Sequence, residues 1–545
     1  MLKQMLYASI ILSYSFKPNI VVAQKADKPN VLIIMLDDAG LDMSAYGSTY
    51  VQTPTFDRIA KEGVLFKKAY TPNAKCAPSR ACLLTGRNSW QLEAAANHYI
   101  YFPPQFKTYQ EALADFGYSV GYTGKGYSPG VTLKQDGTPR DVLGTNFGRH
   151  KLLPPTPEIS RDDYFANFKD FIDSVPDEKP WSFWVGIHEP HRAYAFESGE
   201  KLGNKNTNMI GKLPGYWPDS LTIRKDLLDY AYEIEYADEQ AGKIVQELEK
   251  RGILNNTLII YTSDHGMPFP RVKGNQYEQA NHVPLALCWK DRILSTGRDI
   301  KNYVSFIDLT PTIFDAVELP FKESGLHPSP GKSFLPLLTA EIPEEVQASR
   351  DFVLVGKERH DTGRPNDWGY PIRGIYKDNM LYIKNFEPNR WPSGNPETGY
   401  LNVDSSPTKS LLLNLRRKGN DKNYWMTNFG KRPLEELYDI TSDPYCINNL
   451  ALNEEFSSQM QNLKSFMMKK LSEEGDLRIE GYGHLYEQYD LSKWRGLYDD
   501  FLAGKKPAPP WILISDIESY FLDGRGNNLK KVPDSINMGS LSGKN

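Results

Sequence analysis

Two features of the sequence predict an α/β fold followed by a smaller α+β domain. First, three nearly continuous apolar runs, residues 30–36, 181–187 and 258–262, have the composition of strands covered on both faces. Each ends in polar or ionisable residues: Asp37-Asp38, His188 and Ser263-Asp264-His265-Gly266. Open α/β sheets gather their ligands at that end of the strands. Second, after Leu338 the apolar runs shorten to the length of antiparallel strands.

The 545 residues amount to about three domain equivalents at roughly 100–200 residues each. Hydrophobic residues at 40% and charged residues at 24% exclude a disordered or collagen-like chain. A net charge of −4 gives no sign of a nucleic-acid partner. Residues 1–23 are the first expected unit. Lys3, the apolar run 5–12 and the small residues at Val21-Val22-Ala23 form the pattern of a cleaved signal peptide; a buried N-terminal helix or strand is the alternative. That run is too short to span a bilayer and no later one is long enough. The expectation is a soluble, exported protein, periplasmic or secreted.

A catalytic domain is expected over 24–340. After the strand at 30–36 comes a helix over 55–64, with apolar Phe56, Ile59 and Ala60 and a closing Gly63. The strand at 181–187 follows, then a long helix over 227–250. Its Ile234, Ala237, Ala241, Ile244, Val245 and Leu248 share one face, and Gly252 ends it. The strand at 258–262 comes next. A second domain is expected over 341–475, with strands at 352–355, 374–376, 380–383 and 436–440 and a helix over 455–471. Residues 476–545, Pro-rich at Pro507-Ala508-Pro509-Pro510, are expected to wrap the surface, with about the last twenty disordered. The 4 cysteines are too few for a disulfide scaffold. Cys288 lies in an apolar run, and its pairing with Cys446 is open.

The segment that carries chemistry is Cys76-Ala77-Pro78-Ser79-Arg80-Ala81-Cys82-Leu83-Leu84-Thr85-Gly86. It resembles the signature of the formylglycine-dependent sulfatases, Cys-x-Pro-x-Arg followed by Thr-Gly, and matches it at every fixed position. Read without the family, it is a buried thiol before a proline turn. The resemblance implies an alkaline-phosphatase-like sulfatase fold: a large mixed sheet sandwiched by helices, with a C-terminal antiparallel sheet. It also implies that a maturation enzyme oxidises Cys76 to formylglycine. The hydrated aldehyde is a geminal diol, whose oxygen attacks sulfur and whose carbon re-forms the aldehyde to release sulfate. Arg80 would hold that group.

Asp37 and Asp38 either cap the next helix or bind a hard cation. The family's ion site takes two Asp from the first segment, and Asp plus Asn or His from a later one. Here these are Asp37, Asp38, Asp264 and His265, with the Cys76 group beside them, and the implied ion is one Ca2+. His188-Glu189-Pro190-His191 is similar to the family's His-x-Pro-His element. That makes His191 the candidate general acid. His188 is a substrate contact or a strand-end residue. Lys273, in a stretch resembling Lys-x-x-x-Tyr-Glu, and Lys125, in Gly124-Lys125-Gly126, would bind sulfate oxygens. One departure stands out. Family members carry a histidine shortly after the first lysine, whereas Tyr127-Ser128-Pro129-Gly130 occupies that stretch here. Either another residue, His98 or His282, takes its place, or turnover is slowed or lost.

The resemblance spans roughly residues 28–450. Met267-Pro268-Phe269-Pro270 and Tyr370-Pro371-Ile372-Arg373 resemble the sulfamidase (heparan N-sulfatase) branch. Asp264-His265 and Asn281-His282-Val283-Pro284 resemble the iduronate-2-sulfatase branch. Bacterial members of this type also desulfate algal glycans such as ulvan. The implied function is hydrolysis of sulfate esters on a sulfated polysaccharide or its oligosaccharides. The alternatives are an N-sulfoglucosamine sulfamidase and a non-catalytic sulfated-glycan binding protein. Phosphatases of the superfamily place Ser or Thr where Cys76 stands. Substrate choice is expected in the second domain, where Arg359, His360, Arg364 and Arg373 accompany Trp368. Arg forks onto carboxylate or sulfate and Trp stacks on a sugar face; a solvated loop is the alternative.

Overall fold

The computed structural model describes residues 28–339, 351–420, 422–505 and 509–532. The expected signal peptide at 1–23 and residues 533–545 of the expected disordered end lie outside the described residues, whereas Asn528–Lys531 of that end form a strand paired antiparallel with Tyr520–Leu522. Eight strands form the central sheet: β1 (Asn30–Leu36), β2 (Val64–Phe66), β3 (Ser119–Gly124), β4 (Thr145–Asn146), β5 (Trp181–Gly186), β6 (Thr257–Ser263), β7 (Leu285–Cys288) and β8 (Arg298–Ile300). Their order across the sheet is β8-β2-β7-β6-β1-β5-β3-β4. β1 runs parallel to both neighbours, β5 and β6. β7 runs antiparallel to β6 and β2, which makes the sheet mixed.

All of β1 is buried, and its alternation divides the core. Leu32, Ile34 and Leu36 face a layer holding the helices Pro54–Glu62, Tyr164–Ser174 and Leu221–Lys250. Val31, Ile33 and Met35 face a layer holding Cys76–Thr85, Tyr109–Asp115 and Leu309–Ala316. A strand covered on both faces has no wet side to mark with polar residues, hence the continuous apolar run. The long helix starts at Leu221, ahead of the expected 227. Ser220 caps it there, its hydroxyl accepting the Ile223 N–H at 3.3 Å.

A second sheet is an antiparallel meander of β9 (Phe352–Lys357), β10 (Ile372–Lys377), β11 (Met380–Asn385) and β12 (Glu435–Asp439). One face packs with Tyr70, Tyr277 and Tyr303 from the first part of the chain. Helix Ser457–Glu473 covers the other through Leu463, Met467 and Leu471. All four cysteines are buried free thiols, so Cys288 and Cys446 do not pair.

The carboxyl ends of β1, β3, β5 and β6 converge. Gly124, at φ 68°, closes β3 opposite Gly186 of β5. A Cβ on Gly124 would stand 2.1 Å from the Gly186 oxygen, and one on Gly186 would stand 1.8 Å from the Lys125 oxygen. Only glycine at both positions lets these strand ends approach so closely.

Candidate active site

Cys76 is the first residue of helix Cys76–Thr85 and is 2% exposed. Pro78 falls in the first turn, where its missing N–H breaks no helical bond. The next turn latches the helix to the strand ends. Ser79 Oγ donates to the Asp264 carbonyl at 2.6 Å. Arg80 Nε donates to Asp264 Oδ2 at 3.0 Å, and Nη1 to the Lys125 carbonyl at 2.8 Å. Arg80 is wholly buried.

Asp37 and Asp38 follow β1. Asp38 has φ 70°, a left-handed conformation that a non-glycine residue adopts at a cost. It is held there by its N–H, which donates to Asp264 Oδ1 at 3.1 Å. Cys76 Sγ, one oxygen each from Asp37 and Asp38, and a His265 nitrogen lie within 4.8 Å of one another. His265 Nδ1 bonds the Gly266 carbonyl at 3.0 Å, which turns Nε2 toward Cys76 Sγ (3.4 Å) and Asp38 Oδ1 (3.0 Å). Asp37 Oδ1 and Asp38 Oδ1 are buried without a well-aligned hydrogen-bond donor. Orphaned carboxylate oxygens beside an imidazole fit a divalent cation. Asp264 is turned to Arg80 and the Asp38 N–H instead of into that group.

Two lysines balance the acids. Lys125 pairs with Asp37, and Lys273 with Asp38 at 2.5 Å and with Asp404. Burial alone would raise both aspartates. Lys125, His191 and Arg80 together outweigh it at Asp37, and Lys273, His265 and His191 together at Asp38, holding both carboxyls below the usual range. At Asp264, burial and the neighbouring Asp37 win, and the carboxyl is pushed up.

A cavity of about 430 Å³ opens over Cys76, lined in part by Lys125, Lys273, His98, His188 and His191. His191 Nδ1 bonds the Arg192 carbonyl at 2.7 Å, so Nε2 faces Lys273 (3.4 Å) and Asp38 Oδ2 (3.9 Å). Burial and Lys273 hold this imidazole below its ordinary value. His188 stands at the mouth, its side chain 42% exposed and 3.5 Å from Asp162.

The structure does not bring Arg359, His360, Arg364 and Arg373 to this cavity. All four are buried and bonded to the protein's own groups, although Arg359 Nε, His360 Nδ1 and Arg364 Nη1 are left without a hydrogen-bond partner among the described residues. Arg359 donates to the Glu487 and Tyr489 carbonyls, and Arg364 to those of Trp391 and Pro392. His360 Nε2 pairs with Asn73 at 2.7 Å. Arg373 forks onto Asp476. Trp368 lies under the Arg390 guanidinium. These polar residues staple the second sheet to its surroundings, and nothing in residue type distinguishes a staple from a ligand contact. His282 is also placed elsewhere, bonded to Glu278 and stacked on Tyr70.

Lys75, Asp361 and Asp404 are among the lining residues that the sequence did not single out. Asp361 bridges Lys75 Nζ (2.7 Å) and His98 Nδ1 (2.9 Å), and Asp404 pairs with Lys273. Adjacency to Cys76 could have flagged Lys75, and adjacency to His360 could have flagged Asp361. Asp404 carried no local signal.

A family model described as Sulfatase matches residues 29–319, more than half of the chain. N-sulphoglucosamine sulphohydrolase of Homo sapiens is 28% identical over 485 residues, covering 82% of this chain and 90% of its own. An ulvan-active sulfatase of Formosa agariphila is 26% identical over 493 residues, covering 83% of this chain and 76% of its own. A solved structure in complex with its substrate D-glucosamine-2-N,6-O-disulfate aligns with a TM-score of 0.56 at 18% identity, covering 86% of this chain and 99% of that one.

Proposed function

This chain belongs to the sulfatase family, and on that premise we propose that it hydrolyses sulfate esters of a sulfated polysaccharide or its oligosaccharides, an algal glycan such as ulvan or a glycosaminoglycan. The observation that carries the reading is the convergence of Cys76, Lys125, Lys273 and His191 on one cavity above a buried aspartate cluster. Export to the periplasm or medium, and maturation of Cys76 by a separate enzyme, belong to the same proposal. Among the described residues no helix is long and apolar enough to cross a membrane.

Converted to formylglycine, Cys76 would supply the nucleophilic oxygen toward sulfur. Asp37, Asp38 and His265, beside Cys76, would hold the divalent ion, proposed as Ca2+, which would offset sulfate charge, while Asp264 braces the cluster through Arg80 and the Asp38 N–H. The chain's own groups do the rest. Lys125 and Lys273 present ammonium groups to the sulfate oxygens, with Asp37 and Asp38 keeping both charged and in place. His191 Nε2, aimed by the Arg192 carbonyl, delivers the proton to the leaving sugar oxygen. His188 meets the sugar at the mouth. His98 takes the place of the histidine absent after Lys125. Asp361 holds its Nδ1–H, which leaves Nε2 buried and without a partner. Burial pushes its pKa down to about 4 against the pull of Asp361, so the ring is neutral and Nε2, in the same cavity as Cys76, would be the acceptor for a proton from the matured residue.

The test is sulfate release by protein matured in a converting host, from O-sulfated and N-sulfated glycosaminoglycan fragments and ulvan oligosaccharides, with Cys76→Ala as control. Release from O-sulfated sugars alone is expected. Release from N-sulfoglucosamine alone would replace this reading with a sulfamidase, which the 28% identity to the human sulphohydrolase favours. Silence with conversion proven by peptide mass would leave only sulfated-glycan binding.

A further inference from the structure

We propose that a second cavity, joined to the catalytic one, binds the neighbouring sugar of the same glycan by its unsulfated C–H face; this rests on the glycan-sulfatase reading. The cavity holds about 560 Å³ and shares Arg192, Asp404 and Trp511 with the catalytic cavity. The two are therefore compartments of one cleft, and a chain held by its sulfate over Cys76 runs into the second.

The compartments differ in chemistry. Ammonium, imidazole and carboxylate groups wall the first, whereas Tyr194, Phe196, Trp511 and Leu513 present apolar faces to the second. The polar groups there are already committed. Among the described lining residues the single cation is Arg192, which forks onto Asp226 at 2.8 and 2.9 Å. Asp229 accepts the Glu197 and Gly199 N–H groups, and the Ser405 and Ser410 hydroxyls bond Asp516. A second sulfate would find no uncommitted positive charge. The C–H face of a pyranose ring finds flat aromatic surface.

Two further observations point the same way. Phe196 is 67% exposed and Leu513 54%, and together they form an apolar rim open to solvent beside a polar cleft. Trp511, between the compartments, is fixed in advance. Its Nε1–H donates to the Leu401 carbonyl at 3.2 Å, its ring stacks on Tyr99 at 5.9 Å, and Trp494 meets it edge-on at 5.4 Å. A ligand ring landing there meets a wall that loses little freedom on binding. Tyr99 itself sits at φ 54°, a conformation kept only where its surroundings enforce it.

The experiment compares kcat/KM for a sulfated tetrasaccharide and for the matching monosaccharide sulfate, using the matured full chain. The wild type should favour the tetrasaccharide, and Phe196→Ala with Leu513→Ala should cut that preference by about tenfold. Leu452→Ala, at an exposed position outside both cavities, is the control and should leave the preference intact. Turnover of both substrates with no tetrasaccharide preference, or a preference the double variant keeps, overturns the subsite and spares the sulfatase reading. No turnover of any substrate would overturn the sulfatase reading instead. Calorimetry on Cys76→Ala protein with the desulfated tetrasaccharide then decides the subsite alone. Binding weakened by the double variant supports it, and absent or unaltered binding overturns it.

Discussion

Replacing Arg373 by Met separates a substrate contact from a structural staple. The guanidinium is fully buried at the start of β10. Nε and Nη2 reach Asp476 at 2.6 and 2.8 Å, and Nη2 also reaches Glu358 at 2.7 Å. Asp476 follows helix Ser457–Glu473, so the fork pins the end of that helix to the sheet it covers. Without Arg373, Glu358 keeps Arg478 at 2.9 Å, but Asp476 keeps only the Arg478 N–H at 3.1 Å and Tyr486 Oη at 3.4 Å. Removing one partner of a buried ion pair costs about 3–5 kcal/mol. Because Glu358 retains a cation, the lower end, about 3 kcal/mol, applies. At about 2–4 °C per kcal/mol for a domain of this kind, Tm falls by about 6–12 °C. Circular dichroism melting and sulfate-release kinetics at 25 °C read the two quantities separately. The expected result is a lowered Tm with KM for the sulfated sugar unchanged. Arg373→Lys, which keeps the charge and loses the fork, should fall between. A raised KM at unchanged Tm would refute this reasoning and return Arg373 to the substrate.

His98→Ala should lower kcat by about a hundredfold with KM nearly unchanged, and Asp361→Asn should lower it less; wild-type kcat in His98→Ala would remove that residue from the mechanism. On unconverted protein, Ca2+ at about a hundred times its Kd should stabilise the fold by about 2.7 kcal/mol in a thermal-shift assay, and Asp37→Asn should abolish the effect. A shift that survives Asp37→Asn places the ion elsewhere. Glu233, on the long helix, is pushed up to about 9 by burial and by the Glu189 carboxylate. A carboxyl raised on folding stabilises fully below its unfolded value of 4.5, and that stability is lost as pH climbs toward 9. At pH 7 the loss is about 3 kcal/mol. Glu233→Gln should therefore melt higher than the wild type at pH 7–8, and the gap should close below about pH 4.5. A gap constant with pH would show that Glu233 is not protonated in the fold.

The sequence determined the parts of this protein that depend on local composition. β1, β5 and β6 were legible because strands buried on both faces run apolar without alternation. The helix faces were legible because one stripe of each must meet the sheet. The Cys76–Arg80 segment pointed to its chemistry through its resemblance to the family signature; read alone it is a buried thiol at a helix start with Pro in the first turn. What lay beyond the sequence was direction. Arg359, His360, Arg364 and Arg373 have the donors that a sulfate would want, and the fold spends them on its own carbonyls and carboxylates. Asp361 and Asp404 reach the cavity from segments distant in sequence from Cys76, brought there by the packing of the second sheet on the first. Trp511 arrives from farther still. Residue type tells which interactions a side chain can make; which partner stands 3 Å away is a property of the packed chain, because buried polar groups take whatever partner the fold presents.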